Sequence, residues 1–261
     1  MTQMVIDMLY IEKKAITPYI SSALINIKKT PEWKAIAAND TPAIRSKFDS
    51  LPKTAIRDAL LNEQHFLCAY CMKRIRNNEL HMSIEHWKPL SSDKEKALDY
   101  TNFLGVCKGG ADLNIHGGRV LCCDGSKKDI VEMVINPLDQ HMIEHIAYRK
   151  NGSIYFLEED FDITLATQIK IDINETLCLN GKLDRNGQLI DTSTQLLKGR
   201  KDAVMQAERI LSRLAKDKQL SSRRILIEIK KIESQPEFPE FVGTIIFFLY
   251  RKYHSLLSQH L

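Results

Sequence analysis

Ile84-Glu85-His86-Trp87-Lys88-Pro89 lies between two groups of thiols: Cys68-Ala69-Tyr70-Cys71 before it, and Cys107 with the Cys122-Cys123 pair after it. Two residues between Cys68 and Cys71 let both sulfurs of a tight knuckle reach one tetrahedral ion, with zinc–sulfur distances of about 2.3 Å. Such an ion needs two more sulfurs. Cys107 supplies one and the tandem pair the other. Cys123 is preferred to Cys122, because Cys123-Asp124-Gly125-Ser126-Lys127 reads as a helix start that carries Asp124 and Lys127 toward His86; Cys122 is then a packing thiol. The fourteen residues from Lys108 to Leu121 form an inserted, glycine-bearing loop, and loop closure costs only logarithmically more with length. His116 could replace one sulfur but is read as a loop histidine.

The chain has 261 residues, room for one large or two small domains. Its hydrophobic and charged fractions of 44% and 27% exclude a disordered chain. Met1 to Asp7 carries no charged n-region followed by an apolar run, so no secretory signal is expected and the chain is placed in the cytoplasm. Thiols are kept reduced there, so six cysteines argue for metal ligation before disulfides. Cys178 alone reads as a plain buried thiol. Structural zinc is preferred to rubredoxin-type iron, and it would contribute on the order of 10 kcal/mol or more to folding.

Four regions follow. Residues 1–60 read as a helical segment: Thr17-Pro18 starts one helix with Ile20, Ala23, Leu24 and Ile27 on a face, Thr30-Pro31-Glu32-Trp33 starts another, and Asn39-Asp40-Thr41-Pro42 is a break. Residues 61–135 are the cysteine-framed module, poor in long periodic runs, where a metal is expected to stand in for a core. Residues 136–162 hold a hairpin, Ile143–Tyr148 and Ser153–Leu157 about Lys150-Asn151-Gly152. Residues 163–261 should be mainly helical. Leu197, Val204, Ala207, Leu211 and Leu214 form a stripe behind the cap-like Thr192-Ser193-Thr194; Arg224–Lys230 fits helix or strand, with helix preferred. Phe241 to Leu257 is too short to span a bilayer and reads as a buried or partner-covered helix.

The net charge of +4 does not announce a nucleic-acid binder, yet residues 196–231 hold eleven Lys/Arg against four Asp/Glu. That surplus suits phosphates or a plain solvated helix face. No Gly-x-x-x-x-Gly-Lys-Ser/Thr occurs, so ATP is not expected to bind through a phosphate loop.

A closed thiol cage cannot activate water, so catalysis would fall to other groups. His86 can take a proton near neutral pH, and Glu85 with Asp124 can offer hard oxygens to Mg²⁺ or Mn²⁺. Neighbouring strand residues face opposite ways, so a bend at Glu85-His86 is expected if both serve one site. Asn102 would brace the His86 loop by side-chain to backbone bonds, and Lys127 is the candidate phosphate-binding cation. A zinc-stapled module that binds nucleic acid or protein without cutting it is the competing class.

Cys68-x-x-Cys71, Glu85-His86-x-x-Pro89, Asn102, Cys107 and Cys123-Asp124-x-x-Lys127 resemble the HNH endonuclease motif with its zinc-knuckle frame, over roughly residues 65–130. Ile11-Glu12-Lys13-Lys14 with Pro18, and Ile173-x-Glu175-Thr176-Leu177-x-Leu179-Asn180 with Leu183 and Arg185, resemble the retron-associated and Septu-type (PtuB-like) HNH proteins. The resemblance implies an α+β, mostly helical protein in which a helical scaffold encloses a ββα-metal (His-Me finger) module. It implies His86 as general base, Asn102 as active-site support, Glu85 and Asp124 on the catalytic ion, and antiviral defence by cutting DNA or RNA; a toxin-like enzyme acting on tRNA, with the same residues, is a separate alternative. The implied partners are a PtuA-like ATPase and, in retrons, a reverse transcriptase with its msDNA. Two departures stand out: Asp124 sits where the motif commonly has Asn or His, and the second thiol pair is split by the long insertion.

Overall fold

Thr17 and Thr30 each turn a hydroxyl to a free amide at a helix start, accepting from Ile20 N at 3.4 Å and Trp33 N at 3.1 Å. They open α1 (Pro18–Lys29) and α2 (Pro31–Ala35), each with proline in its first turn, as the spacing predicts. The computed structural model describes residues 10–113, 119–127, 133–218 and 220–258. The expected break at Asn39–Pro42 is itself a helix start. Asp40 accepts from Ala43 N at 3.1 Å and opens α3 (Thr41–Asp49), which α4 (Lys53–Glu63) follows.

Next come β1 (Met82–His86) and β2 (Phe103–Cys107), paired antiparallel from Met82 opposite Cys107 to His86 opposite Phe103, and the single turn α5 (Cys123–Ser126). Then α6 (Gln140–Ile143) leads into the hairpin of β3 (Ile146–Tyr148) and β4 (Ile154–Phe156). The first strand is thus shorter than its apolar run, whose start closes α6. Gly152 supplies the turn's positive φ of 85°.

The C-terminal region runs through α7 (Ile163–Ile171), β5 (Lys182–Leu183), β6 (Leu189–Ile190), α8 (Leu196–Lys216), α9 (Ser222–Glu233) and α10 (Val242–Leu257). The α8 cap agrees with expectation at Thr192 and differs beside it. Gln195, left-handed at φ 58°, is the cap residue, while the Asp191 carboxylate accepts from Leu197 N and Lys198 N, and Thr192 Oγ1 accepts from Leu196 N. Among the described residues the fold is α+β and mostly helical, and no helix is long and apolar enough to cross a membrane.

Two cores flank the cysteine-framed region. One joins α1–α4, through Ile20, Trp33, Ile44, Phe48 and Leu60, to Leu90, Leu98, Tyr100 and Phe103. The other joins the thiols, Leu104 and Val106 to α8–α10 through Val204, Ile229, Ile245 and Leu249. Every residue of β2 is buried. Residues 61–135 therefore do not lack a core, contrary to expectation: each face of the module is covered by helices contributed from outside it.

Buried polar groups tie these layers together. Lys13 Nζ donates to Glu63 Oε2 at 3.1 Å and to the Phe103 carbonyl at 2.5 Å, strapping the first segment across the end of α4 and the start of β2. The fully buried Gln64 amide donates to Leu67 O and Gly105 O and accepts from Gly105 N, at 2.7–2.8 Å. It serves as a strand edge for β2. A Cβ on Gly105 would come within 3.2 Å of that amide oxygen and 2.9 Å of Met82 Cε, so glycine keeps the pairing possible. Gln64→Leu should lower unfolding stability by roughly 2–3 kcal/mol, because Gly105 N–H loses its acceptor and the Leu67 carbonyl its Gln64 donor, while Gly105 O keeps only the donor Ala69 N. Chemical denaturation measures this, and an unchanged midpoint would show that the amide is dispensable.

Candidate metal centre and adjoining cleft

Three separate stretches deliver four sulfurs to one point. Cys68 and Cys71 stand on a knuckle closed by Cys68 N donating to Lys73 O at 2.8 Å, with Met72 left-handed at φ 61°. Cys107 ends β2, and its amide donates to Cys68 Sγ at 3.3 Å. Cys123 opens α5 at φ 49°, anchored by donation from its amide to Leu177 O at 3.0 Å. All four are buried, with sulfurs within 4.8 Å of one another. Cys68 lies 4.0 Å from Cys123 and Cys71 3.7 Å from Cys107, against a sulfur–sulfur edge of about 3.8 Å for a zinc tetrathiolate.

The donor set fits a metal such as zinc. Burial pushes the Cys71 thiol up; burial also opposes ionisation of Cys68, but hydrogen bonding with Cys107 and Cys123 draws it well below the usual thiol range. A dication bound here would displace the crowded thiol protons.

Cys122 turns away, its sulfur 3.7 Å from Gly109 O and 3.3 Å from Thr194 Oγ1, in agreement with the choice of Cys123. The insertion crosses close by. Cys122 N donates to Gly109 O at 3.0 Å, and a Cβ on Gly109 (φ 63°) would fall 1.6 Å from Cys122 O, so only glycine passes there. Its return limb is pinned by Ser193 N donating to Val120 O at 2.8 Å. His116 lies outside the described residues.

A cleft of about 550 Å³ opens beside the quartet, lined by Ser83, Glu85, His86, Asp124 and Lys127, with Arg45 and Phe48 from α3. Glu85 pairs with Lys127, whose ammonium also donates to His86 O at 3.2 Å. Asp124 Oδ2 accepts from Ser83 Oγ at 2.7 Å, and Ser83 Oγ accepts from Lys108 Nζ at 2.8 Å. No bend separates Glu85 from His86, contrary to expectation. The ladder runs on through His86; Glu85 turns to Lys127, His86 turns to Phe48 and Phe103, and both reach the cleft.

His86 is 8% exposed, and its ring lies edge-on to Phe48 with centroids 4.4 Å apart. Its Nε2 is 3.1 Å from Ala97 O. A carbonyl only accepts, so Nε2 carries the proton and Nδ1 the lone pair. Burial pushes the imidazole down to about 4, opposed by the Ala97 carbonyl and reinforced by Lys53, Arg45 and Lys127. Asn102 braces the following loop: Oδ1 accepts from Lys88 N at 2.8 Å, and Nδ2 donates to Lys88 O at 3.0 Å and Lys96 O at 3.1 Å.

Several participants were not singled out from sequence: Ser83, Lys108, Arg45, Phe48 and the Ala97 carbonyl. Ser83, two positions before Glu85 on β1, is the one that strand alternation could have found. Tyr70, buried between the knuckle cysteines, has a hydroxyl with no hydrogen-bond partner among the described residues, and its ionisation is opposed by burial and then by Glu85. Among the described residues, only the thiol quartet and His141–His145–Asp160 bring three or more donors within 4.8 Å of one another. Glu85, His86 and Asp124 share the cleft without converging that tightly.

Comparison of the chain with protein-family models gives no match, nor does comparison with curated proteins.

Metal content separates the two tandem thiols. Cys122→Ser should retain the full tightly bound equivalent after desalting, while Cys123→Ser should lose it, as read by elemental mass spectrometry; the reverse pattern would overturn the ligand assignment.

Proposed function

We propose that the protein is a metal-dependent HNH-type endonuclease: zinc on Cys68, Cys71, Cys107 and Cys123 holds a ββα-metal module, and Glu85, His86 and Asp124 act on a phosphodiester. The observation that carries this reading is one cleft, beside the quartet, shared by a neutral imidazole, two carboxylates from different elements and a lysine. The β1–β2 hairpin followed by a helical turn, with thiols at the end of β2 and the start of α5, supports the same reading.

The roles follow from the bonds. With Nε2–H committed to Ala97 O, the lone pair on Nδ1 is available to take a proton from water. Asn102 keeps the Trp87–Lys88 turn in register with Lys96 and so holds the His86 loop. Mg²⁺ or Mn²⁺ would be held by Glu85 and Asp124, two carboxylates being enough for an ion that keeps waters and phosphate oxygens, and it would supply charge to the leaving oxygen. Lys127 neutralises Glu85 and is free to exchange onto an incoming phosphate when a dication takes the carboxylate.

The substrate is nucleic acid, DNA first and tRNA as the alternative, since the phosphate chemistry is common to both. On the resemblance in the motif residues, the setting is the cytoplasm of a prokaryote, in antiviral defence under a PtuA-like ATPase, with a retron reverse transcriptase and msDNA as further partners. A second reading, a zinc-stapled binding module without catalysis, draws on the small exposure of His86 and the Glu85–Lys127 pair. Incubation with plasmid, single-stranded DNA and tRNA under Mg²⁺ or Mn²⁺, with and without the genomic-neighbour ATPase, tests both. Cleavage is expected to fall about 10²–10⁴-fold in His86→Ala. Binding without cleavage in every combination would favour the second reading and end the first.

A further inference from the structure

Away from the thiols and the cleft, two histidines and an aspartate meet at the surface in a way that a simple ion pair does not explain. His141 lies in α6 and His145 just after it, the spacing that stacks side chains one helical turn apart. Leu157 N donates to His145 O at 2.8 Å, joining the end of β4 to the start of β3, and the turn that follows brings Asp160 back over His145.

The hydrogen bonds fix the His145 tautomer. Its Nδ1 lies 2.7 Å from His141 O, which can only accept, so Nδ1 carries a proton. Its Nε2 lies 3.0 Å from Asp160 Oδ2, also an acceptor. In the neutral imidazole two lone pairs would face each other, so a cation belongs between them: a proton or a metal ion. The third member decides for the metal. A second imidazole, His141, stands with its ring centroid 4.8 Å from that of His145, and the ligating atoms of all three residues lie within 4.8 Å of one another. A proton shared by His145 and Asp160 makes no use of it, whereas an ion that takes two nitrogens and an oxygen does.

We infer that His141, His145 and Asp160 form a second metal site, for a borderline divalent ion such as Zn²⁺, joining α6 to the turn after β4. Donation of Nδ1–H to a backbone carbonyl is the arrangement that orients metal-bound histidine and raises the basicity of its other nitrogen. Phe161, 5.0 Å from the His141 ring and 4.9 Å from that of His145, holds both imidazoles against one apolar wall. Nitrogen and carboxylate donors select zinc, nickel or copper over magnesium. Three protein donors leave the fourth position to solvent, which the exposure of His141 and Asp160 permits. The site does not depend on the nuclease reading.

The test uses the full, tag-free chain carrying one zinc equivalent in its thiol quartet. Titration with ZnCl₂ at neutral pH, followed by calorimetry, should give a second equivalent that is lost in Asp160→Asn and in the His141→Gln/His145→Gln double variant, while the tightly held equivalent stays. Circular dichroism of each variant should match the parent, and His141→Ala, at an exposed position, provides a variant with the least structural demand. Cobalt(II) gives an independent readout: the quartet shows intense thiolate charge transfer, and only a weak ligand-field band should disappear with the histidines. No second equivalent in the parent, or one that persists in the double variant, overturns the proposal.

Discussion

Four buried thiols drawn to one point constrain more of this protein than any other contact. They come from a knuckle, the end of β2 and the start of α5, and nothing in the local preferences of those stretches would bring the three together. Once they meet, the crossing of β2 and α5 is set. Asp124 then faces Ser83, and Lys127 faces Glu85 on the neighbouring strand. The cleft is a consequence of the sulfur geometry. Filled by a dication, the quartet would hold that crossing by on the order of 10 kcal/mol or more, comparable with the whole stability of a domain.

The charges in the cleft are balanced in a way that suits exchange. Glu85 is matched by Lys127, while Asp124 and Lys108 share Ser83 from opposite sides. On the proposed nuclease reading, a dication with phosphate oxygens would replace the first pairing without leaving either side chain bare. His86 meets the Lys127 ammonium through its backbone carbonyl, at 3.2 Å. Its imidazole is held neutral chiefly by burial against Phe48 and Phe103 and is oriented by the Ala97 carbonyl.

Local signals in the sequence were reliable where the physics is local. Thr17 and Thr30 with their following prolines cap the first two helices, Gly152 turns the hairpin, and the helix start at Cys123 separates it from Cys122. Long-range partners were not legible. The module looked core-poor because its cover comes from elsewhere: Phe48 and Leu60 on one side, Val204 and Ile245 on the other. Gln64 reads as an ordinary polar residue at a helix end, and only the tertiary fold shows it completing β2. Asp191, one residue before the expected cap at α8, shows how several short polar side chains in a row leave the true cap undecided. Residues noticed only through the family resemblance also have physical roles: Lys13 straps β2, and the Leu177 carbonyl anchors Cys123.

Zinc K-edge absorption spectroscopy of the protein at one equivalent tests the central claim most directly. The account predicts four sulfur neighbours at about 2.3 Å and no nitrogen or oxygen in that shell. A shell with fewer than four sulfurs, or one containing imidazole, would mean that Cys68, Cys71, Cys107 and Cys123 do not hold the ion together, and the origin assigned to the cleft would fall with them.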